Sequence, residues 1–257
     1  MKHLLSFSFI HLFFSSFCLA QNHPRAHAHN DYEHAQPLKE AMQNGFLSVE
    51  VDTHLFKGKL VVAHDTATAS SPSLERLYLR PLDSLLRVSN GFIYPGEKRT
   101  FFLMIDIKTD GPKTYRAFKQ LMTSYAKLKC VSHNCPVKIF LSGERPLNIM
   151  IKEGYTGIGI DGRPDDLGKG YPKDMMPVIS DAYKNWSTWD GISPLKLEDF
   201  QRINRLSQRV HAEGKMLRLW AIPDHEIAWQ ALLDAGVDLI NTDHLQRLNA
   251  FLKSKGE

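Results

Sequence analysis

The sequence predicts an α/β fold, a single (β/α)8 TIM-type barrel. Its 257 residues match the length of about 250 residues that is common for such barrels. Short apolar runs rich in β-branched residues alternate with helical patterns, which is typical of βα units in a parallel sheet. No glycine-rich phosphate-binding motif follows the first predicted strand, and this disfavours the alternative, an open doubly wound sheet that binds nucleotides.

The predicted elements account for such a barrel. The extended segments cover residues 25–29, 46–52, 59–63, 101–107, 137–141, 157–160, 216–221 and 238–241, with residues 177–180 or 191–192 supplying the sixth strand. The predicted helices cover residues 37–44, 82–88, 115–128, 146–153, 197–213, 227–235 and 245–253. Gly45, Gly214 and Gly236 follow three of these helices, as is typical of helix C-termini.

The composition is that of an ordinary globular protein. Hydrophobic residues make up 43% of the chain and charged residues 23%, which argues against extensive disorder. The formal net charge of +4 is small and evenly spread, so nucleic-acid binding is not predicted. This charge suits an anionic small molecule or a membrane surface better than a cationic partner. The sequence carries no signal for an oligomeric state.

Residues 1–20 have the pattern of a secretory signal peptide. Lys2 precedes an uncharged apolar stretch, and Cys-Leu-Ala at residues 18–20 places a small residue directly before Gln21. The stretch is too short and too interrupted by polar residues for a transmembrane span. We therefore predict a mature barrel domain of residues 21–257 and a secreted or periplasmic location. A lipid-modified Cys18 is the alternative, and the bulky residue before it disfavours this.

Cleavage at that point leaves two cysteines, Cys130 and Cys135. Val-Ser-His-Asn separates them, a polar turn between a predicted helix and a predicted strand. An even pair in an exported chain favours a disulfide, and two unlinked thiols are the alternative.

Polar side chains lie at the ends of the first two predicted strands, where barrels place their active sites. His27 and His29 are two residues apart, so both can face the same side of an extended chain. Glu50 and Asp52 share a face in the same way, and adjacent carboxylates repel each other unless a cation lies between them. Carboxylate oxygens suit Mg²⁺ or Ca²⁺ rather than a soft metal, so the sequence predicts one divalent cation.

Later extended segments end in further polar residues. His64 follows Leu-Val-Val-Ala, where a strand would deliver a side chain into a cleft. Asp106 and Lys108 share one face at the end of an apolar strand. Asp106 is a third carboxylate for the same cation, and Lys108 offers a positive charge to a phosphate. Trp220 ends a later strand near the predicted cleft, where it can pack against a substrate.

Taken in order, these motifs resemble the glycerophosphodiester phosphodiesterase and phosphatidylinositol phospholipase C-like superfamily. The run His-Ala-His-Asn-Asp-Tyr at residues 27–32 is similar to the opening of a secreted bacterial and fungal branch. Other runs resemble later motifs of the superfamily, at residues 45–52, 60–65, 217–220 and 235–243. The resemblance therefore extends over nearly the whole predicted mature chain.

The resemblance implies a TIM-barrel phosphodiesterase in which the three carboxylates bind the cation and Lys108 contacts phosphate. His27 and His64 would form the acid–base pair. The related sphingomyelinase D enzymes carry a His-x-x-Asn opening that matches His27, and His29 is the alternative partner. The resemblance also implies that the substrate's own hydroxyl can attack the phosphorus, which would give a cyclic phosphate first.

The sequence departs from the glycerophosphodiesterases in its motifs. Ala28-His29 replaces their Arg-Gly, so the arginine that would hold phosphate is missing, and no Glu-Asn-Thr follows the second strand. The segment between His64 and the next barrel strand is also short. The substrate stays open among glycerophosphodiesters, inositol phospholipids, lysophospholipids and sphingomyelin.

Two other functions compete with phosphodiester cleavage. Binuclear metallohydrolases also open with His-x-His, but they need further histidine ligands from later strands. Nothing in the sequence assigns His211, His225 or His244 to inward strand positions. The other alternative is a non-catalytic exported binding protein, which is disfavoured because every expected polar position is filled.

Overall fold

The structure is a computed structural model that describes residues 23–94, 96, 98–131 and 135–256. The predicted signal segment, residues 1–20, lies outside these described residues. Within these described residues, nine strands form one sheet. They are β1 (His23–Ala28), β2 (Phe46–Phe56), β3 (Lys59–Val62), β4 (Phe101–Ile107), β5 (Val137–Gly143), β6 (Gly159–Ile160), β7 (Val178–Ala182), β8 (Met216–Trp220) and β9 (Leu239–Thr242).

The sheet curves into a nearly closed barrel of parallel strands in the order β6-β5-β4-β2-β1-β9-β8-β7. Its two ends meet through a parallel bridge between Gly162 and Ile179. There the Gly162 N–H donates to the Val178 carbonyl, and the Ser180 N–H donates to the Gly162 carbonyl. This confirms the predicted (β/α)8 TIM-type barrel. β3 lies outside the ring and pairs antiparallel with β2.

Helices lie in most of the connections between barrel strands. They are α1 (Lys39–Gln43), α2 (Arg80–Val88), α3 (Gly111–Leu121), α4 (Leu147–Glu153), α5 (Leu197–Ala212), α6 (Glu226–Asp234) and α7 (Leu245–Ser254). On α5, Ile203, Leu206 and Val210 recur at helical spacing and are buried in the core outside the barrel. None of the described helices has both the length and the apolar character needed to cross a membrane.

The sixth barrel strand is β7, as the prediction for residues 177–180 anticipated. The alternative, a strand at residues 191–192, is wrong. Gly191 has a positive φ of 85° and belongs to the loop after β7. A side chain there would contact the ring of His225, so the position is built for a turn and a close approach.

Helix α3 begins at Gly111 and not at Tyr115, where the sequence pattern indicated. Pro112 lies in the first helical turn, where a proline costs no hydrogen bond. The Asp110 side chain caps this turn by accepting a hydrogen bond of 2.9 Å from the Lys113 N–H. Gly111 and Pro112 therefore begin the helix and do not belong to the preceding loop.

The interior of the barrel changes from apolar to polar along the strands. Met104 and Phe140 pair in register and pack with Val178 and Leu239 in a buried apolar layer. Glu50 is in register with Met104. Two residues further along the same strands lie the polar side chains of Asp52, Asp106 and Ser142. The apolar layer thus forms a floor beneath a polar site.

Cys130 and Cys135 form a disulfide, which confirms that prediction. Both residues are buried. The Cys130 N–H donates to the Gly157 carbonyl at 3.0 Å. The disulfide-bonded segment before β5 is thereby hydrogen-bonded to the segment that leads into β6.

Candidate active site

A pocket of about 310 Å³ opens at the carboxyl ends of the barrel strands, where TIM barrels place their active sites. Its walls come from residues spread along most of the chain. They are His29, Asn30, Glu50, His64, Asp106, Lys108, Ser142, Gly143, Arg163, Arg218 and Trp220. The pocket therefore exists only when the barrel has closed.

Three carboxylates meet at this pocket. Glu50 and Asp52 lie two residues apart on β2, and Asp106 lies beside Asp52 in the parallel register of β2 and β4. One oxygen atom from each carboxylate lies within 4.8 Å of the other two. The structure therefore brings together the residues that the sequence predicted as cation ligands. Among the described residues, no histidine belongs to this group. The binuclear alternative needs histidine ligands, so the composition of the group gives it no support.

Lys108 lies between two of these carboxylates. Its Nζ is 2.6 Å from Asp106 Oδ2 and 3.0 Å from Asp52 Oδ2. Burial raises the pKa of Asp52 to about 6, although Lys108 acts in the opposite direction. Burial, followed by the charge of Glu50, also raises the pKa of Asp106. Burial thus disfavours the ionised form of both aspartates unless further positive charge lies beside them.

The residues of this group fit a hard divalent cation. Asp52 Oδ1 is buried and has no hydrogen-bond partner among the described residues. A buried oxygen without a partner is costly, and a cation would supply both the partner and the missing positive charge. Three carboxylates are an oxygen-only donor set of the kind that Mg²⁺ and Ca²⁺ prefer.

Glu50 is held by an arginine from the far part of the chain. Arg218 on β8 donates from Nη2 to Glu50 Oε2 at 2.5 Å and from Nε to Asn241 Oδ1 at 2.9 Å. Burial alone would raise the pKa of Glu50, but the charge of Arg218 lowers it to about 2. Glu50 is therefore ionised at neutral pH. The sequence analysis missed Arg218, although it lies on the same face of β8 as Trp220, two residues earlier.

His27 lies beneath the pocket and does not form part of its wall. Its side chain is fully buried. Nδ1 is 2.7 Å from Ser48 Oγ, and Nε2 is 3.3 Å from Glu50 Oε2. Burial, followed by the charge of Arg218, lowers the pKa of His27 to about 4. A neutral, enclosed imidazole of this kind positions Glu50.

His29 does line the pocket. Its Nδ1 is 2.8 Å from Asp243 Oδ1, at the end of β9. Burial alone would lower the pKa of His29, but the hydrogen bond to Asp243 and the charges of Glu50 and Asp243 raise it. Asp243 is itself positioned by Asp224, whose Oδ2 accepts its backbone N–H at 2.9 Å. The Nε2 atom of His29 has no hydrogen-bond partner among the described residues, so it is available to a ligand.

His64 lines the pocket from the chain that follows β3. Its Nδ1 is 2.8 Å from Asp65 Oδ1, and its side chain is 54% exposed. The segment is tied to β2 because His54 Nε2 lies 3.1 Å from the carbonyl oxygen of Ala63. His29 and His64 thus have the same arrangement. Each has an aspartate on Nδ1, and within the described part of the chain neither has a hydrogen-bond partner for Nε2.

Arg163 and Trp220 line the same pocket. The Arg163 guanidinium lies over the Trp220 ring, with its central carbon 5.1 Å from the ring centroid. Asp161, which is fully buried, accepts a hydrogen bond of 2.6 Å from Arg163 Nη1. The sequence analysis noted Asp161 and Arg163 at a strand end without assigning them a role. It predicted Trp220 as a site residue, and in the structure Trp220 lines the pocket.

Gly143 completes the wall beside the carboxylates. It has a φ of 67°, and a Cβ atom there would lie 2.1 Å from Asp106 Oδ1. Only glycine fits this position without moving the carboxylate. Ser142 and Gly143 directly follow the predicted strand at residues 137–141, and their place at a strand end was the signal that could have identified them.

Two family models match the chain. A model described as an AIM6-like phosphodiesterase domain matches residues 20–154. A model described as the glycerophosphoryl diester phosphodiesterase family matches residues 217–246. The first range contains the three carboxylates and both pocket histidines, and the second contains Arg218, Trp220 and Asp243.

Two relatives share sequence similarity with most of the chain. Altered inheritance of mitochondria protein 6 homolog from Arthroderma benhamiae is 25% identical over 260 residues, covering 88% of this chain and 82% of that protein. Altered inheritance of mitochondria protein 6 from Eremothecium gossypii is 24% identical over 270 residues, covering 88% and 69% respectively. A crystal structure of glycerophosphodiester phosphodiesterase from Agrobacterium tumefaciens str. C58 aligns with a TM-score of 0.46 at 12% identity, covering 89% of this chain and 99% of that chain.

Proposed function

This chain belongs to the AIM6-like phosphodiesterase domain family, and on that premise we propose that it is a metal-dependent phosphodiesterase. The observation that carries the proposal is the pocket itself. There a group of three carboxylates meets two histidines, His29 and His64, whose Nδ1 atoms are each held by an aspartate. This combination suits cleavage of a phosphodiester by general acid–base catalysis.

Glu50, Asp52 and Asp106 would hold one divalent cation, Mg²⁺ or Ca²⁺. Such a cation would draw charge from the non-bridging oxygens of the phosphate and fix the phosphate in place. Lys108 keeps the carboxylates of Asp52 and Asp106 together and borders the pocket, so it also faces a bound phosphate. Arg218 supplies a further positive charge and keeps Glu50 ionised.

His29 and His64 would divide the proton transfers. Asp243 favours the charged form of His29, so His29 is suited to donate a proton from Nε2 to the leaving oxygen. His64, with Asp65 on its Nδ1, would accept a proton at Nε2 from the attacking hydroxyl. That hydroxyl belongs either to water or to the substrate itself. After the reaction, His64 releases its extra proton to solvent and His29 takes one up from solvent. The site then returns to its starting state.

His27 would then act through Glu50 and not on the substrate. It is closed off from the pocket and bonded to Ser48 and Glu50. We therefore choose His29 as the catalytic partner of His64, where the resemblance alone favoured His27. The finer relationship to the sphingomyelinase D enzymes, which supported His27, stays a prediction.

The proposal is tested by turnover. The purified protein, freed of metal with a chelator, would be supplied with Mg²⁺ or Ca²⁺ and given a panel of glycerophosphodiesters, inositol phospholipids, lysophospholipids and sphingomyelin. We expect cation-dependent release of a phosphate monoester or a cyclic phosphate from at least one of them. The variant Asp106→Asn, which lacks one of the three carboxylates, is the comparison and should turn over much less substrate at the same limiting cation concentration. Tight binding of panel members with no turnover under any cation would contradict the proposal and favour a binding protein.

A further inference from the structure

Arg163 and Trp220 form a wall of the pocket that lies away from the carboxylate group. Trp220 ends β8, which lies across the ring of parallel strands from β4 with its Asp106 and Lys108. Arg163 follows β6, which lies across the ring from β1. A diester whose phosphate lies at the carboxylates would therefore present another of its groups to this wall.

Buried hydrogen bonds fix the position of Arg163. Asp161 accepts from Arg163 Nη1 at 2.6 Å, from Ser142 Oγ at 2.8 Å and from Ser180 Oγ at 2.6 Å. Nη1 of Arg163 also donates to the Gly162 carbonyl at 2.9 Å. Because Asp161 is fully buried between three strands, the guanidinium has little freedom to leave the wall.

The guanidinium has hydrogen-bond donors to spare. Its five N–H bonds lie in the plane of the guanidinium, and the central carbon of the group lies 5.1 Å from the centroid of the Trp220 ring. Nη1 is committed to Asp161 and Gly162, and Nη2 has one long contact of 3.5 Å with Ser142 Oγ. Nε and the other Nη2 hydrogen have no partner within the described residues, while the residue borders the pocket.

We propose that Arg163 determines specificity by binding hydroxyl oxygens of an uncharged, hydroxylated alcohol group of the diester. Asp161 is its positioning residue. This inference rests on the proposed phosphodiesterase function and deepens it. Asp161 neutralises Arg163, so the pair suits neutral oxygen acceptors and has no excess charge to offer a second anion.

The same wall disfavours a quaternary ammonium group such as choline. Such groups bind to the faces of aromatic rings, and Arg163 already covers a face of Trp220. A quaternary ammonium group would therefore find a face of Trp220 already occupied, where a polyhydroxy group finds hydrogen-bond donors.

The test compares two phosphate monoesters that differ in the alcohol, glycerol 3-phosphate and phosphocholine. Their affinities would be measured by calorimetry on the full chain in the presence of Mg²⁺. We expect the wild-type protein to bind glycerol 3-phosphate about 10-fold or more tightly than phosphocholine. Arg163→Met should reduce this ratio about 10-fold, mainly by weakening glycerol 3-phosphate, and Arg163→Lys should give an intermediate ratio.

A matched control is available outside the pocket. Arg247 lies over the Trp229 ring at 5.7 Å and pairs with Glu226 on the surface. Arg247→Met removes the same type of contact and should leave the ratio unchanged. Melting temperatures of all variants separate loss of fold from loss of binding, and Arg163→Lys keeps the test valid if Arg163→Met is poorly folded.

An equal loss of affinity for both ligands in Arg163→Met would overturn the inference, because the residue would then contact the shared phosphate. A wild-type ratio near one would overturn it as well. Turnover of diesters is scored separately. Turnover without an Arg163-dependent preference contradicts this inference alone, whereas an Arg163-dependent preference without turnover of any diester contradicts the proposed function alone.

Discussion

His29 and Asp243 are 214 residues apart in the sequence, and their side chains lie 2.8 Å apart, Nδ1 to Oδ1. The contact joins the end of β1 to the end of β9, which are neighbours in the barrel. The aspartate leaves Nε2 of His29 facing the pocket and favours the charged imidazole. Closure of the barrel thus determines both the orientation and the protonation of a candidate catalytic group.

Replacing Asp243 by Asn should change the pH dependence of the reaction. The hydrogen bond to His29 lowers the pKa of Asp243, and the aspartate in turn raises that of His29. Without this charge, His29 loses its proton at lower pH, so the limb of the pH–rate profile that belongs to His29 moves towards acid. We expect turnover at neutral pH to fall by up to about 10²-fold. An equal loss of turnover at every pH would contradict the assignment of His29 as the proton donor.

Variants of the pocket histidines His29 and His64 should differ in turnover, cation affinity and stability from a variant of the buried His27. His29→Ala and His64→Ala are expected to cut turnover by about 10²–10⁴-fold with little change in cation affinity. His27→Ala should lower thermal stability and weaken cation binding, since it removes a support of Glu50. Kinetics and calorimetry on the three variants check this. If His27→Ala lost turnover with full stability and full cation affinity, His27 would be the acid–base partner instead.

Replacing a carboxylate of the group should lower turnover by weakening cation binding. Asp52→Asn and Asp106→Asn are each expected to weaken Mg²⁺ or Ca²⁺ binding by about 10-fold or more, because each removes one of three charged ligands. Excess cation should partly restore turnover. Glu198, an exposed acid on α5, provides the control variant Glu198→Gln, which should bind the cation normally. Unchanged cation affinity in both aspartate variants would rule out this site.

The sequence predicted the barrel and the carboxylate group because both depend on local pattern. Apolar strands ending in alternating acids are visible at Glu50, Asp52 and Asp106 without any knowledge of their neighbours. Arg218 was missed because its contact with Glu50 spans 168 residues and exists only after the barrel has closed. Pattern alone indicates that a residue faces inward, and it does not indicate which distant charge lies beside it.

The sequence could not decide between His27 and His29 for a related reason. Two residues apart, both face inward, and the spacing does not reveal depth. β1 ends at Ala28, so His27 lies within the strand, in register with Ser48 and Asn241. His29 is the first inward residue beyond the strand end. Depth within the barrel therefore depends on where the strand ends, which is the least predictable feature of a sequence pattern.

We propose that the chain is exported and that its N-terminal segment is removed. The support is the pattern of residues 1–20 and a disulfide between Cys130 and Cys135, a bond that persists in oxidising compartments. Mass spectrometry of protein exported by its native host should find a mature terminus at Gln21 or close to it. Thiol labelling of the denatured, unreduced protein should find neither cysteine free. Active native protein that retains Met1 would contradict the prediction of cleavage.

Asp31 should make the stability of the fold depend on pH below neutrality. Its side chain is fully buried beneath the turn after β1. Oδ2 accepts hydrogen bonds from Tyr78 and from the Leu38 N–H, whereas Oδ1 has no partner among the described residues. Burial raises the pKa of Asp31 from 3.8 to about 6, and these hydrogen bonds only partly oppose it.

The folded protein therefore keeps a proton on Asp31 that the unfolded chain loses between about pH 4 and pH 6. The stabilisation is fully present below the unfolded pKa and is lost as the pH rises through the folded pKa. The change is at most about 3 kcal/mol, at 1.36 kcal/mol for each pH unit between the two pKa values. Asp31→Asn has nearly the same shape but cannot ionise, so it lacks this dependence. Urea unfolding of both proteins at pH 4, 5 and 6 should show the wild type losing up to about 3 kcal/mol more than the variant across that range. Parallel curves for the two proteins would mean that Asp31 ionises at its ordinary pKa in the folded state.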